Sequence, residues 1–428
     1  MSTHQKLTLK NGARLILVPY DATNAATVLV YFRVGSRYET VTLNGASHYI
    51  EHLMFKGTRR RPNTTMISRE LDSVGAEYNA FTGKDHTGYY IKIRGDRLEL
   101  ACDMLSDMLF HSIFAPVETD RERKVIIEEI HMYEDNPMIF VEELFEQNLY
   151  DGSTLGWRIS GTRQTMEGIK RQEMIRYRDR HYRPSEMIVV VAGQVPEDAV
   201  ELIERTFGEV PEPKGAKPKP FAPFRVSSAK FNKPRLKLHF KETEQVQLAL
   251  GFPALGHGNP RLPAQLLLSV ILGGNMSSRL FIQVRERRGL CYFIRASSNP
   301  YEDVGNFLIQ SGLARDRLPE ALKVITAEIR KIRNEGVTEK ELDRAKEYLR
   351  GKITLGLEES NELADWYGRQ ELFLRKMETP EEKFARISAV TRQEVGALAR
   401  ELFANSRLRT ALIGPFKDEK PFIKHLRI

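Results

Sequence analysis

His48 and His52 stand four residues apart with Glu51 between them, in the run His48-Tyr49-Ile50-Glu51-His52. The segment Asn44–Phe55 reads as a helix capped by Asn44. Residues at i and i+4 share a helix face, so both imidazoles can reach one ion. Neutral imidazole nitrogens suit zinc, and Glu51, one step from His52, stands where a general base takes a proton from an activated water. The order H-x-x-E-H inverts the metal-hydrolase pattern H-E-x-x-H. Chance gives this spacing in about 2% of chains of this length and composition. Two structural histidines on an amphipathic helix would look the same, so the metal reading needs a third ligand.

That ligand should come from another helix and leave a fourth zinc position open. Thr119–Asn136, closed by Pro137, supplies the candidates Glu128 and Glu129. On a helical wheel Glu129 falls within about 20° of Glu122 and shares a stripe with Val125, Ile126 and Tyr133. Glu128 lies instead with Lys124, His131 and Asp135. Glu129 is therefore assigned as the ligand, and Glu122 as a carboxylate that hydrogen-bonds and orients a ligand.

These residues must be held by a large scaffold. A chain of 428 residues exceeds one ordinary core and predicts two domains. With 41% hydrophobic and 29% charged residues and a mean hydropathy of −0.41, it has no apolar run near the ~20 residues of a membrane span. No basic–apolar–small-residue leader precedes the strand-like segment Lys6–Val18, so a cytoplasmic location and no membrane association are expected. Cys102 and Cys291 give neither a disulfide framework nor a cysteine-rich metal site and read as free thiols. The net charge of +8 is spread in alternation with acids, as in Asp120-Arg121-Glu122-Arg123-Lys124, which reads as a solvated surface and not a nucleic-acid site.

The proline-rich segment 209–224 divides the chain. On either side the same order of elements recurs at an offset near 220 residues. Ala26–Val34 matches Val246–Phe252, Asp96-Arg97-Leu98 matches Asp316-Arg317-Leu318, and the strand Met187–Ala192 matches Thr410–Ile413. The expectation is an α+β fold of two tandem homologous domains, 1–208 and 225–428, joined by 209–224. Each has a mainly antiparallel sheet, with hairpins such as Ala76–Thr82 with Thr87–Ile93, and helices packed on one side. At an offset of 219, His48, Glu51 and His52 correspond to Leu267, Val270 and Ile271. A fold that fills this helix with aliphatic residues does not need histidines for packing, so only the first half should bind metal. Gly273-Gly274 lacks the Lys-Ser/Thr of a phosphate loop and reads as a helix-joining turn.

Together these segments resemble the M16 (pitrilysin/insulinase-like) metallopeptidases over nearly the whole chain, nearest the mitochondrial-processing-peptidase-like subgroup. The resemblance is carried by His48–His52 with Glu129 77 positions after His52, and by the run Glu122–Glu129. It is carried also by Gly75–Tyr90, similar to the family's substrate-binding edge strand with Asn79-Ala80-Phe81-Thr82 at its core, and by Leu272–Tyr292. The last segment implies an arginine and a tyrosine seven residues apart, here Arg285 and Tyr292, as donors to a developing oxyanion.

The resemblance implies a zinc endopeptidase with one Zn2+ per chain, held by His48, His52 and Glu129, with Glu51 as base. Its substrates would be peptides or unfolded presequence-like segments, admitted to a chamber formed by a homodimer or by a heterodimer with a sister chain. Extended peptides bind by adding a strand to a sheet edge, which suits Asn79–Thr82. The alternative is a non-catalytic scaffold or assembly subunit of the same fold.

Overall fold

The computed structural model describes residues 4–215, 217, 218, 220–225 and 235–428. Residues 216 and 219 of the proline-rich segment, and 226–234 at the start of the expected second domain, lie outside the described residues.

The first sheet has six strands, β1 (Gln5–Thr8), β2 (Arg14–Pro19), β3 (Ala25–Phe32), β4 (Glu77–Thr82), β5 (Thr87–Arg94) and β6 (Met187–Gly193). They lie in the order β1-β2-β6-β3-β5-β4. The second has β7 (Arg235–Phe240), β8 (Gln245–Leu255), β9 (Cys291–Pro300), β10 (Val304–Ala314) and β11 (Arg409–Gly414), in the order β7-β11-β8-β10-β9. Apart from β1 the orders are the same, with β2 standing for β7, β6 for β11, β3 for β8, β5 for β10 and β4 for β9. In each sheet a single pair is parallel, β2 with β6 and β7 with β11. The internal repeat is thus a repeat of topology. The segment Lys6–Val18, strand-like in sequence, is a hairpin that turns through Asn11-Gly12, where Gly12 has φ +88°.

Two compact units result. One comprises Met1–Ile130, Trp157–Phe221 and Thr354–Glu378, the other His131–Gly156, Ala222–Ile353 and Thr379–Ile428. This division departs from a single cut at the proline-rich segment, because each unit takes one helix from the other half of the sequence. The first sheet packs one face on the helices Ala46–Met54 and Leu98–His111, through Leu15, Leu17, Val28, Val30, Val189 and Val191. Its other face, with Ile16, Leu29, Tyr31, Ile188 and Val190, is covered by Leu363, Ala364, Tyr367 and Leu372 of the helix Ser360–Leu374. Glu371 of that helix is buried and accepts Lys6 Nζ at 2.6 Å and Arg14 at 3.1 Å, so its charge is paired from β1 and β2. In the second unit the helix Pro137–Leu149 packs Val141, Leu144 and Phe145 on Ala249, Leu308, Ala411 and Ile413. The expected helical layer on one side of each sheet is present, and one further helix covers the opposite face. Strands buried on both faces read as continuous apolar runs, as Met187–Ala192 does.

Within the proline-rich segment Glu212 pairs with Arg183 at 2.7 Å, and Phe221 packs beneath the Arg37 guanidinium at 3.6 Å. Cys102 and Cys291 are free thiols. Among the described residues no helix is long and apolar enough to cross a membrane.

Candidate metal centre

The histidine helix Ala46–Met54 buries Ala46, Ser47, Tyr49, Ile50, Leu53 and Met54. That stripe leaves His48, Glu51 and His52 together on the opposite, half-buried face. Tyr49 locks the helix to its neighbour, its hydroxyl donating to the Thr119 carbonyl of the helix Pro116–Asp135.

The expected Asn44 cap is corrected. The N-cap is Gly45, at φ +98°, and it makes no side-chain cap. A Cβ on Gly45 would meet the Ser160 carbonyl oxygen at 2.7 Å, so both conformation and space call for glycine. The free helical N–H groups go instead to Glu39, whose buried carboxylate accepts Gly45 N and Ser47 N, each at 2.7 Å, and Asn44 Nδ2 at 2.9 Å. Burial raises the Glu39 carboxyl above its ordinary value even against these hydrogen bonds. A Glu39→Ala variant strands two buried backbone donors, and we expect a loss of about 1–3 kcal/mol in urea unfolding. Unchanged stability would show that water replaces the carboxylate.

Glu129 comes from another helix, Pro116–Asp135. His48 Nε2 is 3.7 Å and His52 Nε2 is 3.6 Å from the same Glu129 oxygen, and the two rings lie 4.7 Å apart. Ligands about 2.1 Å from a tetrahedral zinc are separated by about 3.4 Å. The three atoms are therefore spaced as ligands of one ion and too widely for good hydrogen bonds. This is the one group of three such side chains among the described residues with metal-binding spacing. Glu128 is exposed, and so is Val125, which the wheel had placed on the Glu129 stripe.

Protonation favours the same reading. Burial, with His52 beside it, pushes the His48 imidazole down to about 4, so it is neutral and able to ligate around neutral pH. His52 presents Nδ1 to Glu122 at 3.1 Å, leaving Nε2 for a metal. Glu122 is 3% exposed. Burial acts to raise its carboxyl, but the hydrogen bonds from His52 and Lys56 outweigh it and hold the group below its ordinary value. The fit to zinc is good: two imidazole nitrogens, one carboxylate and a carboxylate behind one imidazole.

Glu51 lies between the histidines and β4. It accepts a hydrogen bond from the Thr82 hydroxyl at the end of that strand. Burial raises the Glu51 carboxyl, with the Thr82 donation working the other way, and a higher proton affinity suits a base. β4 is the last strand of its sheet, paired with β5 alone among the described strands, and it carries Asn79, Ala80, Phe81 and Thr82. The structure thus brings His48, Glu51, His52, Thr82, Glu122 and Glu129 together in the first unit.

Arg285 and Tyr292 belong to the second unit. Arg285 sits on the helical turn Phe281–Glu286 and Tyr292 on β9, with the guanidinium 5.3 Å from the tyrosine ring centre. Tyr292 is 77% exposed, so its hydroxyl is not committed to a core. At the repeat-equivalent helix, Leu267, Val270 and Ile271 are buried in the second core. Sequence reasoning missed Glu39 and Lys56. Lys56 stands four residues after His52, a spacing that could have drawn attention to it; nothing local marks Glu39.

The chain is similar to known proteins over most of its length. Residues 15–163 match the family described as insulinase (peptidase family M16), and residues 168–349 match the peptidase M16 inactive domain. The chain is 35% identical over 411 residues to a protein of Bacillus subtilis named an uncharacterized zinc protease, covering 96% of this chain and 98% of that one. A Streptomyces coelicolor protein of the same description is 35% identical over 421 residues, covering 98% of this chain and 91% of its own. A crystal structure of a protease from Helicobacter pylori superposes with a TM-score of 0.90 at 23% identity, over 97% of this chain and all of that one (100%), a likeness of fold.

Proposed function

The chain belongs to peptidase family M16, and on that premise we propose that it is a zinc-dependent endopeptidase acting on extended peptides. The observation that carries this reading is the convergence of His48 Nε2, His52 Nε2 and one Glu129 oxygen beside Glu51, at the end of β4, a sheet edge left unpaired among the described strands. His48, His52 and Glu129 would hold zinc, which when bound would supply Lewis acidity at the scissile carbonyl and lower the proton affinity of water. Glu122 keeps His52 oriented.

An extended segment adds to β4, where main-chain hydrogen bonds along Asn79–Thr82 set its register and tolerate many side chains. As the water oxygen bonds to the carbonyl carbon, Glu51 accepts one of its protons and delivers it to the leaving nitrogen while the C–N bond breaks; the second proton passes from the new carboxylic acid to the amine, leaving a carboxylate and an ammonium. Thr82 holds Glu51 on the strand side. Arg285 and Tyr292 donate to the oxygen on which negative charge develops. Two copies of the chain form the working enzyme, each supplying Arg285 and Tyr292 to the zinc site of the other, and the enclosed space admits unfolded chain more readily than a folded domain.

The reading is tested by offering one small protein in two forms, reduced and unfolded or native and disulfide-bonded. We expect chelator-sensitive internal cleavage of the unfolded form and little of the native one. Zinc-loaded protein that cuts neither would favour the non-catalytic scaffold.

A further inference from the structure

The two histidines share one spacing to Glu129 but differ in what stands behind them. Nδ1 of His48 is buried with no hydrogen-bond partner among the described residues, whereas Nδ1 of His52 meets Glu122 Oε2 at 3.1 Å. The other oxygen of that carboxylate, Oε1, is 2.8 Å from Nζ of Lys56. Lys56 lies just beyond the end of the histidine helix at Met54, and its side chain is 23% exposed against 4% for that of Glu122. A line of contacts therefore runs from the ammonium through both oxygens of one buried carboxylate to the imidazole, whose Nε2 faces Glu129.

An imidazole that ligates through Nε2 carries its proton on Nδ1, and its ring plane follows the acceptor of that proton. Glu122 can serve as that acceptor in one orientation only if its second oxygen is also held. The remaining partner is Lys56, a point charge that anchors without demanding the fork geometry of arginine. We propose that Lys56 is a positioning residue for the metal centre: it fixes the Glu122 carboxylate, which in turn orients His52, so that metal affinity rests unequally on the two histidines. The inference rests on the reading of His48, His52 and Glu129 as zinc ligands.

The test uses the full chain and titrates zinc against a chromophoric chelator, with the visible spectrum of the cobalt(II)-loaded protein as a second readout. Loss of an outer partner of a metal ligand costs about 10–100-fold in affinity, and for Lys56→Met we expect the lower part of that range with a shifted cobalt spectrum. Lys56→Arg should recover most of the affinity. In a Glu122→Gln background, Lys56→Met should add little, because the two act in series. Lys56→Gln serves should the methionine variant not fold. Wild-type affinity and spectrum in Lys56→Met, or an undiminished effect in the Glu122→Gln background, would overturn the inference while leaving the zinc site standing. Wild-type protein that takes up no zinc would overturn both.

Discussion

Glu51→Gln is expected to abolish peptide turnover while leaving the zinc content of the protein unchanged. The amide keeps the shape of the side chain, and its oxygen can still accept the Thr82 hydroxyl, which donates to Glu51 in the structure. What it cannot do is take a proton from water and return it to the leaving nitrogen. General-base catalysis contributes about 10²–10⁴-fold, and the loss should fall on kcat more than on KM, because β4 is untouched. Metal analysis beside steady-state kinetics separates the cases. Full zinc with collapsed kcat supports the assignment. Full zinc with unchanged kcat removes Glu51 as the base.

Replacing the carboxylate ligand should have a different signature. Glu129→Ala removes the oxygen that both imidazoles face at 3.7 and 3.6 Å, and with two ligands left we expect zinc affinity to fall by more than the 10–100-fold typical of outer partners. Turnover should vanish with the metal and return in part at high zinc. Glu128→Ala, one residue away on the exposed face, should match the wild type in both respects. The opposite ranking of these two variants would show that the helix presents a different carboxylate to the metal in solution.

The site was legible in the sequence where local periodicity determines which side chains share a face. His48, Glu51 and His52 fall on one stripe of a helix whose other stripe is buried, and Glu122 and Glu129 share a face of the helix Pro116–Asp135. The correspondence with Leu267, Val270 and Ile271 was equally readable, and those three residues are indeed core. The Asn44 cap was wrong because the helix N-terminus is satisfied by Glu39, a residue outside the helix whose approach depends on tertiary packing. The hairpin at β1 and β2 carried a visible Asn11-Gly12 turn signal that a continuous strand reading passes over.

Helix exchange was not legible, and the reason is physical. The apolar face of Pro137–Leu149 says that the helix packs on something apolar, not which sheet it covers, and the same holds for Ser360–Leu374. The apolar run of β6 carries the signal of a strand buried on both faces, which the expectation of helices on one side passes over. The role of Thr82 was half visible: it belonged to the strand read as substrate-binding, and its hydrogen bond to Glu51 needed the fold to bring the strand end to the histidine helix.

The most direct measurement is digestion of a mixed library of 10–30-residue peptides by the purified protein, read by mass spectrometry with chelator, without it, and after zinc is restored. A zinc endopeptidase gives internal cuts that chelation abolishes and zinc brings back. Zinc-loaded protein that leaves the whole library intact, or cuts that persist in the chelator, would contradict the account.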